Sequence, residues 1–227
     1  MPVISFASIK GGVGKSTLTL LIGGYLAEKS SVIILDADQQ PRILDWYEAE
    51  GDKPHGLSVR RSTGESEIQD EIEQAATEAA FVLVDLEGVA SRMATFAMTE
   101  SDLVVIPAQE RYLDIQDAMK TIAEVGRVSR QLRREIPAVV CLTRTREVGR
   151  GTDARENAEE LRGNNAVKVM DCELLERDAV GAVWSHATSL GRLTDPRGGR
   201  DRARENVAAL VAELTEILRQ GRAGEAA

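Results

Sequence analysis

Ser5-Phe6-Ala7-Ser8-Ile9-Lys10-Gly11-Gly12-Val13-Gly14-Lys15-Ser16-Thr17 is the stretch that decides the fold. It opens in an apolar run, Val3–Ala7, that reads as a strand, and it closes on a helix beginning near Gly14. Between them lie three glycines and two lysines. A strand, a Gly-rich turn and a helix in that order form the context of a phosphate-binding loop rather than a chance cluster of glycines. Phosphates need backbone N–H groups turned inward, and glycines allow both the backbone angles and the close approach. Gly11, Gly12, Val13, Gly14, Lys15, Ser16 and Thr17 are therefore the expected nucleotide-binding residues. The helix N-terminus adds partial positive charge, Lys15 reaches the β- and γ-phosphates, and the Ser16 hydroxyl suits Mg²⁺. The ligands expected are ATP and Mg²⁺.

Outward from the loop, short β-branched runs alternate with amphipathic stretches, which predicts an α/β domain with a mostly parallel, twisted sheet and helices on both faces. The expected core strands are Val3–Ala7, Ser31–Leu35, Phe81–Asp85, Leu103–Pro107, Ala138–Thr143 and Ala166–Val169. They read as continuous apolar runs, as strands covered on both faces should. The polar segment 51–66 carries Pro54 and a short edge strand at Leu57–Arg61. A helix from Leu113 to Arg134 would bury a stripe of Ile115, Met119, Ile122, Val125 and Leu132. A last helix would bury Val207, Leu210, Val211, Leu214, Ile217 and Leu218. With no repeat, linker or low-complexity tract, residues 1–227 read as one P-loop domain whose last few residues are disordered.

Two more strands end in acids. Val32-Ile33-Ile34-Leu35-Asp36-Ala37-Asp38 puts two carboxylates at a C-terminal strand end, where open α/β sheets place ligand chemistry. Phe81-Val82-Leu83-Val84-Asp85 is a Walker B-like strand, and Asp85 would hold Mg²⁺ directly or through a water.

Composition removes other classes. A net charge of −9 gives no global pull toward nucleic acid or anionic lipid, so any DNA contact needs a local cluster of arginines. Cys141 and Cys172 form neither a disulfide framework nor a CxxC site, and His55 and His186 stand alone. No apolar run reaches the ~18 residues of a membrane span. The expectation is a cytoplasmic protein without a membrane partner.

The loop departs from the general pattern G-x-x-x-x-G-K-[ST], because Ile9 stands where the first glycine would. A lysine opens it and two glycines follow. In this it resembles the deviant Walker A sequence, KGGxGK[ST], of the ParA/MinD superfamily, and the resemblance runs from residue 2 to about 195. It implies that Lys10 reaches across a dimer interface to the partner's nucleotide and that Asp38 positions the attacking water. It implies too that Asp36 supports the Mg²⁺ shell. Lys10, Lys15 and Asp38 are thus the expected catalytic residues, and Ser16, Asp36 and Asp85 the metal-binding ones. Gln39 stands where the family has proline, and Pro41 follows. Pro107-Ala108-Gln109 resembles the family's Pro-x-Q near the nucleotide. Thr143 and Arg144 occupy the strand end that approaches the adenine, and Glu173–Arg177 resembles the loop that closes over the nucleotide. Leu86-Glu87-Gly88 stands where partition ATPases often have two prolines, setting this chain apart from the best-known chromosomal branch.

Within the superfamily, residues separate the jobs. Beyond Leu218 there is no bulky apolar face for a membrane-binding helix, no cysteine pair for an iron–sulfur carrier, and no tyrosine cluster for an autokinase. A relative of dethiobiotin synthetase stays open, though Lys10 argues against much of that group, and the resemblance that survives best is to the short partition ATPases of plasmids and mobile elements. It implies an ATP-dependent homodimer, slow hydrolysis stimulated by a ParB-like or other adaptor, and non-specific DNA binding with nucleoid association. The alternative is a switch that assists conjugative DNA transfer, or positions a protein complex, without touching DNA. Two basic clusters are candidate DNA surfaces: Arg197, Arg200, Arg202 and Arg204, and Arg127, Arg130, Arg133 and Arg134.

Overall fold

The computed structural model describes residues 1–62, 64–89, 91–194 and 199–225. Its sheet is built from β1 (Val3–Phe6), β2 (Val32–Ala37), β3 (Leu57–Arg61), β4 (Phe81–Leu86), β5 (Leu103–Ala108), β6 (Ala138–Thr145) and β7 (Leu174–Leu175). The spatial order is β3-β2-β4-β1-β5-β6-β7, with every neighbouring pair parallel. The central strand β1 pairs Val3 with Val82 on one side and Ile4 with Leu103 on the other. The chain leaves β1 for β2 on one side and later fills β5, β6 and β7 on the other. Such a reversal opens a crevice beyond the C-terminal strand ends.

Parallel strands need long crossovers, and helices supply them: α1 (Lys15–Leu26), α2 (Arg42–Glu48), α3 (Ile68–Glu78), α4 (Arg92–Thr99), α5 (Tyr112–Leu132), α6 (Thr152–Gly163), α7 (Asp178–Ser185) and α8 (Gly199–Glu225). Alternate strand residues feed two cores. Ile4, Phe6, Ile34, Leu83 and Val105 pack under α1, α2, α7 and α8. Val3, Ile33, Val82, Val104 and Ile106 pack under α3, α4, α5 and α6. Helix α1 is apolar nearly all round, with Leu18, Leu20, Leu21 and Ile22 buried, as a helix enclosed by protein must be. At Gly23 it lies so close to the sheet that a Cβ there would stand 2.8 Å from Ile34 Cδ1. This packing fixes the start of α1, and with it the glycine loop, against β1.

Two sequence expectations need correction. Ala166–Val169 is not a full strand: Val169 makes one bridge to Val140, and the paired edge element is β7. The ladder breaks because the amides of Asp171 and Cys172 turn to the Glu213 carboxylate, at 2.6 and 2.8 Å. On α5 the buried stripe is Ile115, Ala118, Thr121, Val125 and Val128. Met119 and Ile122 flank it, and Leu132 is 40% exposed. Helix α8 buries its expected stripe of Val207, Leu210, Val211, Leu214, Ile217 and Leu218.

Gly56, just before β3, gives a test of the packing. A Cβ there would fall inside the van der Waals contact of the Ala27 and Ser30 carbonyl oxygens, which are backbone atoms. Its own carbonyl accepts the Val32 N–H at 2.8 Å. Gly56→Ala should therefore cost about 1–3 kcal/mol, read as a lower urea midpoint at unchanged m-value.

Candidate phosphate-binding site

The loop between β1 and α1 takes its shape from two residues with positive φ, Gly12 at 81° and Gly14 at 97°. Only glycine adopts these values without strain. Gly14 is the N-cap of α1 and offers no side-chain hydrogen bond, so the first amides of the helix keep their capacity to bind an anion. The loop is held from behind. Gln109 Nε2 donates to the Gly12 carbonyl at 3.1 Å, and Thr143 Oγ1 donates to the Val13 carbonyl at 2.6 Å. Because each peptide is planar and trans, drawing those carbonyls into the protein turns the following N–H groups the other way.

Lys15 is 8% exposed, and its ammonium lies 3.0 Å from Asp85 Oδ1 and 3.4 Å from Asp38 Oδ2. Lys15, Asp38 and Asp85, chosen from three separate motifs, thus meet at one point. Burial pushes the Asp85 carboxyl above its usual range, against the pull of Lys15 and the Ser16 hydroxyl. Thr19 Oγ1 approaches Asp85 Oδ1 at 3.4 Å, whereas the buried Oδ2 has no hydrogen-bond partner among the described residues. Asp36 does something else. Its Oδ2 accepts the amides of Ile43 and Leu44 at 2.9 and 3.0 Å, and its Oδ1 that of Asp38 at 3.3 Å. Asp36 thereby caps the start of α2 and fixes the turn that carries Asp38. Burial raises its carboxyl, and the neighbouring Asp85 charge adds to the rise.

Lys10 stands apart from this group. It is 40% exposed and forms an ion pair with Asp114, whose side chain is 1% exposed. Asp114 was not singled out from the sequence, because an acid in the first turn of a helix is ordinarily a dipole partner. A signal was present, however: Asp114, Ala118, Thr121 and Val125 follow one helical stripe, so the acid falls on the buried face. From the same stripe Thr121 Oγ1 accepts the Ile9 amide at 3.3 Å. Helix α5 thereby grips the entrance of the loop twice.

On the far side of the loop Gly14, Thr17, Thr143 and Arg144 line a cavity of about 1220 Å³, closed by Leu174–Ala182 and Trp184. Thr143 is 1% exposed, with its hydroxyl committed to the loop. Arg144 is exposed, with φ at 53°, at the mouth of the cavity. Leu174–Arg177, from the segment expected to close over the nucleotide, line this wall. Ion pairs tie it to the β6–α6 connection: Arg146 to Glu176 at 2.8 Å, Arg177 to Glu147 at 3.0 Å and Arg150 to Glu173 at 3.2 Å. The cysteines take no part, since burial pushes the Cys141 thiol up to about 12 and that of Cys172 to about 11.

Residues 1–194 match the family described as VirC1 protein. The chain belongs to the VirC1 family. A protein named ParA from Rhizobium radiobacter is 33% identical over 96% of this chain and 100% of its own length. The family match and this relative place the chain in the ParA/MinD superfamily of deviant Walker A proteins that the loop resembles. Two solved structures share its fold. McdA from Cyanothece matches with TM-score 0.75 at 15% identity, covering 92% of this chain and 99% of that one. A putative plasmid partition protein from Borrelia burgdorferi, bound to AMPPNP, matches with TM-score 0.67 at 15% identity, covering 96% and 98%.

The VirC1-type loop fits a nucleotide with its magnesium ion. Mg²⁺ prefers one or two carboxylates completed by waters and phosphate oxygens. Asp85 Oδ2 is a buried oxygen with no hydrogen-bond partner among the described residues, and the Ser16 hydroxyl acts on the same carboxyl. Among the described residues no three acids, histidines or cysteines form an all-protein cage.

The Lys10–Asp114 pair yields a stability test. Lys10→Ala leaves a buried carboxylate unpaired and should cost about 1–3 kcal/mol. Adding Asp114→Asn to that variant should recover most of the loss, since no charge then stays buried. Denaturant unfolding of the four proteins in the cycle measures the coupling.

Proposed function

We propose that this chain is a ParA-type ATPase: it binds MgATP in the loop, dimerises on it, hydrolyses it slowly and acts in DNA partition. The observation that carries the reading is the meeting of Lys15, Asp85 and Asp38 at the loop while Lys10 stands outside on its own partner. A P-loop needs one lysine for its own nucleotide, and Lys15 is placed for that. A second, half-exposed lysine on the rim is placed to serve another copy.

In this reading the amides of Gly11–Ser16 and the Lys15 ammonium take the β- and γ-phosphates, and Ser16 and Asp85 hold the magnesium ion. When bound, that ion offsets charge on the β- and γ-oxygens. Lys15 then exchanges its carboxylate contacts for phosphate oxygens, and Asp38 is left to orient the attacking water. Lys10, released from Asp114, supplies positive charge to the partner's transferring phosphoryl group. Support for ATP comes from the loop chemistry and from the AMPPNP bound by the Borrelia protein of the same fold. A ParB-like or other adaptor would stimulate turnover, and the protein would act in the cytoplasm, associated with the nucleoid. No helix among the described residues is long and apolar enough to cross a membrane.

DNA binding is the finer part of the proposal. Arg197 lies outside the described residues. Arg204 pairs with Glu28 at 2.5 Å, Arg200 with Asp201 at 2.8 Å and Arg127 with Glu124 at 2.6 Å. Arg134 donates to the Thr99 carbonyl at 2.7 Å. The exposed Arg202, Arg130 and Arg133 have no carboxylate partner among the described residues. One copy thus offers few uncommitted charges, and dimerisation would double them. This partial neutralisation also favours a second reading, a switch for conjugative transfer or for positioning a protein complex that never touches DNA.

Lys15→Ala should weaken ATP at least about tenfold, through loss of a charge-assisted contact. Asp38→Ala should keep ATP, stay dimeric with it and lose turnover. Titration calorimetry, sizing with ATP and phosphate release test all three points. Unchanged hydrolysis by Asp38→Ala removes Asp38 from the water's side.

The ATP-trapped Asp38→Ala dimer should bind DNA of any sequence more tightly than the monomer, with a steeper fall in affinity as salt rises. Changing Arg200, Arg202 and Arg204 to alanine should lower that affinity evenly across sequences. Filter binding from low to high salt measures both. No DNA retention at low salt selects the second reading.

A further inference from the structure

The phosphate chain has a direction in this loop. Lys15, Asp85 and Asp38 gather on one side of it, the side suited to the magnesium ion and the γ-phosphate. Thr17, one residue past Ser16 in the first turn of α1, faces the other way and lines the large cavity with Gly14 and Thr143. A nucleoside triphosphate seated with its γ end at the carboxylates must therefore send its ribose and base into that cavity.

The wall it meets carries an indole. Trp184, near the end of α7, is half-buried, lines the cavity and donates its Nε1–H to Thr17 Oγ1 at 3.3 Å. The other ring on the cavity wall is the imidazole of His186. The indole is firmly placed. Its neighbour Val183 is 1% exposed, and the Val183 carbonyl accepts the Nε1–H of Trp46 at 2.8 Å, which locks α7 onto α2. Trp46 itself is 4% exposed. The chain's two tryptophans thus divide, one sealed in the core and one presented to the nucleotide cavity.

We propose that the Trp184 indole is the surface on which the base of the bound nucleoside triphosphate rests, making Trp184 an affinity-determining residue of the site. This rests on the nucleotide reading above. Every purine and pyrimidine has a π-face, and an aromatic side chain against it typically contributes severalfold to a hundredfold in affinity. The hydrogen bond to Thr17 sets the indole beside the start of the phosphate chain.

The test separates the base from the phosphates by comparing MgATP with magnesium tripolyphosphate, which has no base. For Trp184→Ala, ATP binding should weaken about tenfold or more while tripolyphosphate binding stays level. Trp184→Phe, which keeps a ring but loses the N–H, should recover most of the ATP affinity. In the wild-type chain ATP should change the tryptophan emission and tripolyphosphate should leave it nearly unchanged, and Trp184→Phe should abolish the ATP response, since the remaining Trp46 is sealed in the core. Equal weakening of both ligands by Trp184→Ala would assign the residue to the loop through Thr17 and overturn the inference. So would an unchanged ATP affinity. A wild-type chain that binds tripolyphosphate but not ATP removes the base contact and leaves the phosphate loop standing. One that binds neither removes the nucleotide site and this inference with it.

Discussion

A buried ammonium–carboxylate contact, Lys15 Nζ to Asp85 Oδ1 at 3.0 Å, ties the glycine loop to the centre of the sheet. Taking both charges out of water is costly, and only their mutual attraction and the surrounding hydroxyls offset it. The consequences spread outward. Asp85 must end a strand next to β1, Lys15 must open a helix, and α1 must lie close enough to the sheet for the two to meet. The bare Gly23 makes that approach possible, and the all-parallel sheet keeps both strand ends on one edge.

Much of this was legible in the chain because it follows from short-range rules. Phe81–Asp85 reads as a buried strand ending in an acid, and Lys10–Thr17 reads as a phosphate loop, whatever the rest of the chain does. The edge strand Leu57–Arg61 also stands within the polar segment where it was expected. What escaped depends on long-range company. Ala166–Val169 looked like a strand by composition, yet Glu213, more than forty residues on, takes the amides that would continue its ladder. Asp36 and Asp38 stand two residues apart at the end of one strand. Only the position of α2 makes one a helix cap and the other a neighbour of Lys15.

The same contrast separates the two lysines of the loop. They are five residues apart, and local pattern alone gives both to phosphate. Asp114 makes the difference: it offers Lys10 a buried partner on a helix that begins a hundred residues later, and Lys15 none. A charge held this way on the rim is oriented rather than free, so its geometry is set before any ligand arrives. Arg146, Arg150 and Arg177 play a comparable part for the cavity wall, where pairing restrains a segment that backbone ladders hold by only two residues of β7.

The position of β1 has a consequence for how the chain is made. It precedes the other six described strands of the sheet in the sequence, yet it belongs in the middle, with partners at residues 82–85 and 103–105. Nothing near it in sequence can satisfy its backbone, because parallel pairing requires distant segments. Until almost half of the chain has been synthesised, the glycine loop has no scaffold, and an apolar strand waits unpaired. Parallel sheets of this kind form slowly and expose such segments while they do. In the order of biosynthesis, the glycine loop is translated well before the strands that complete its support.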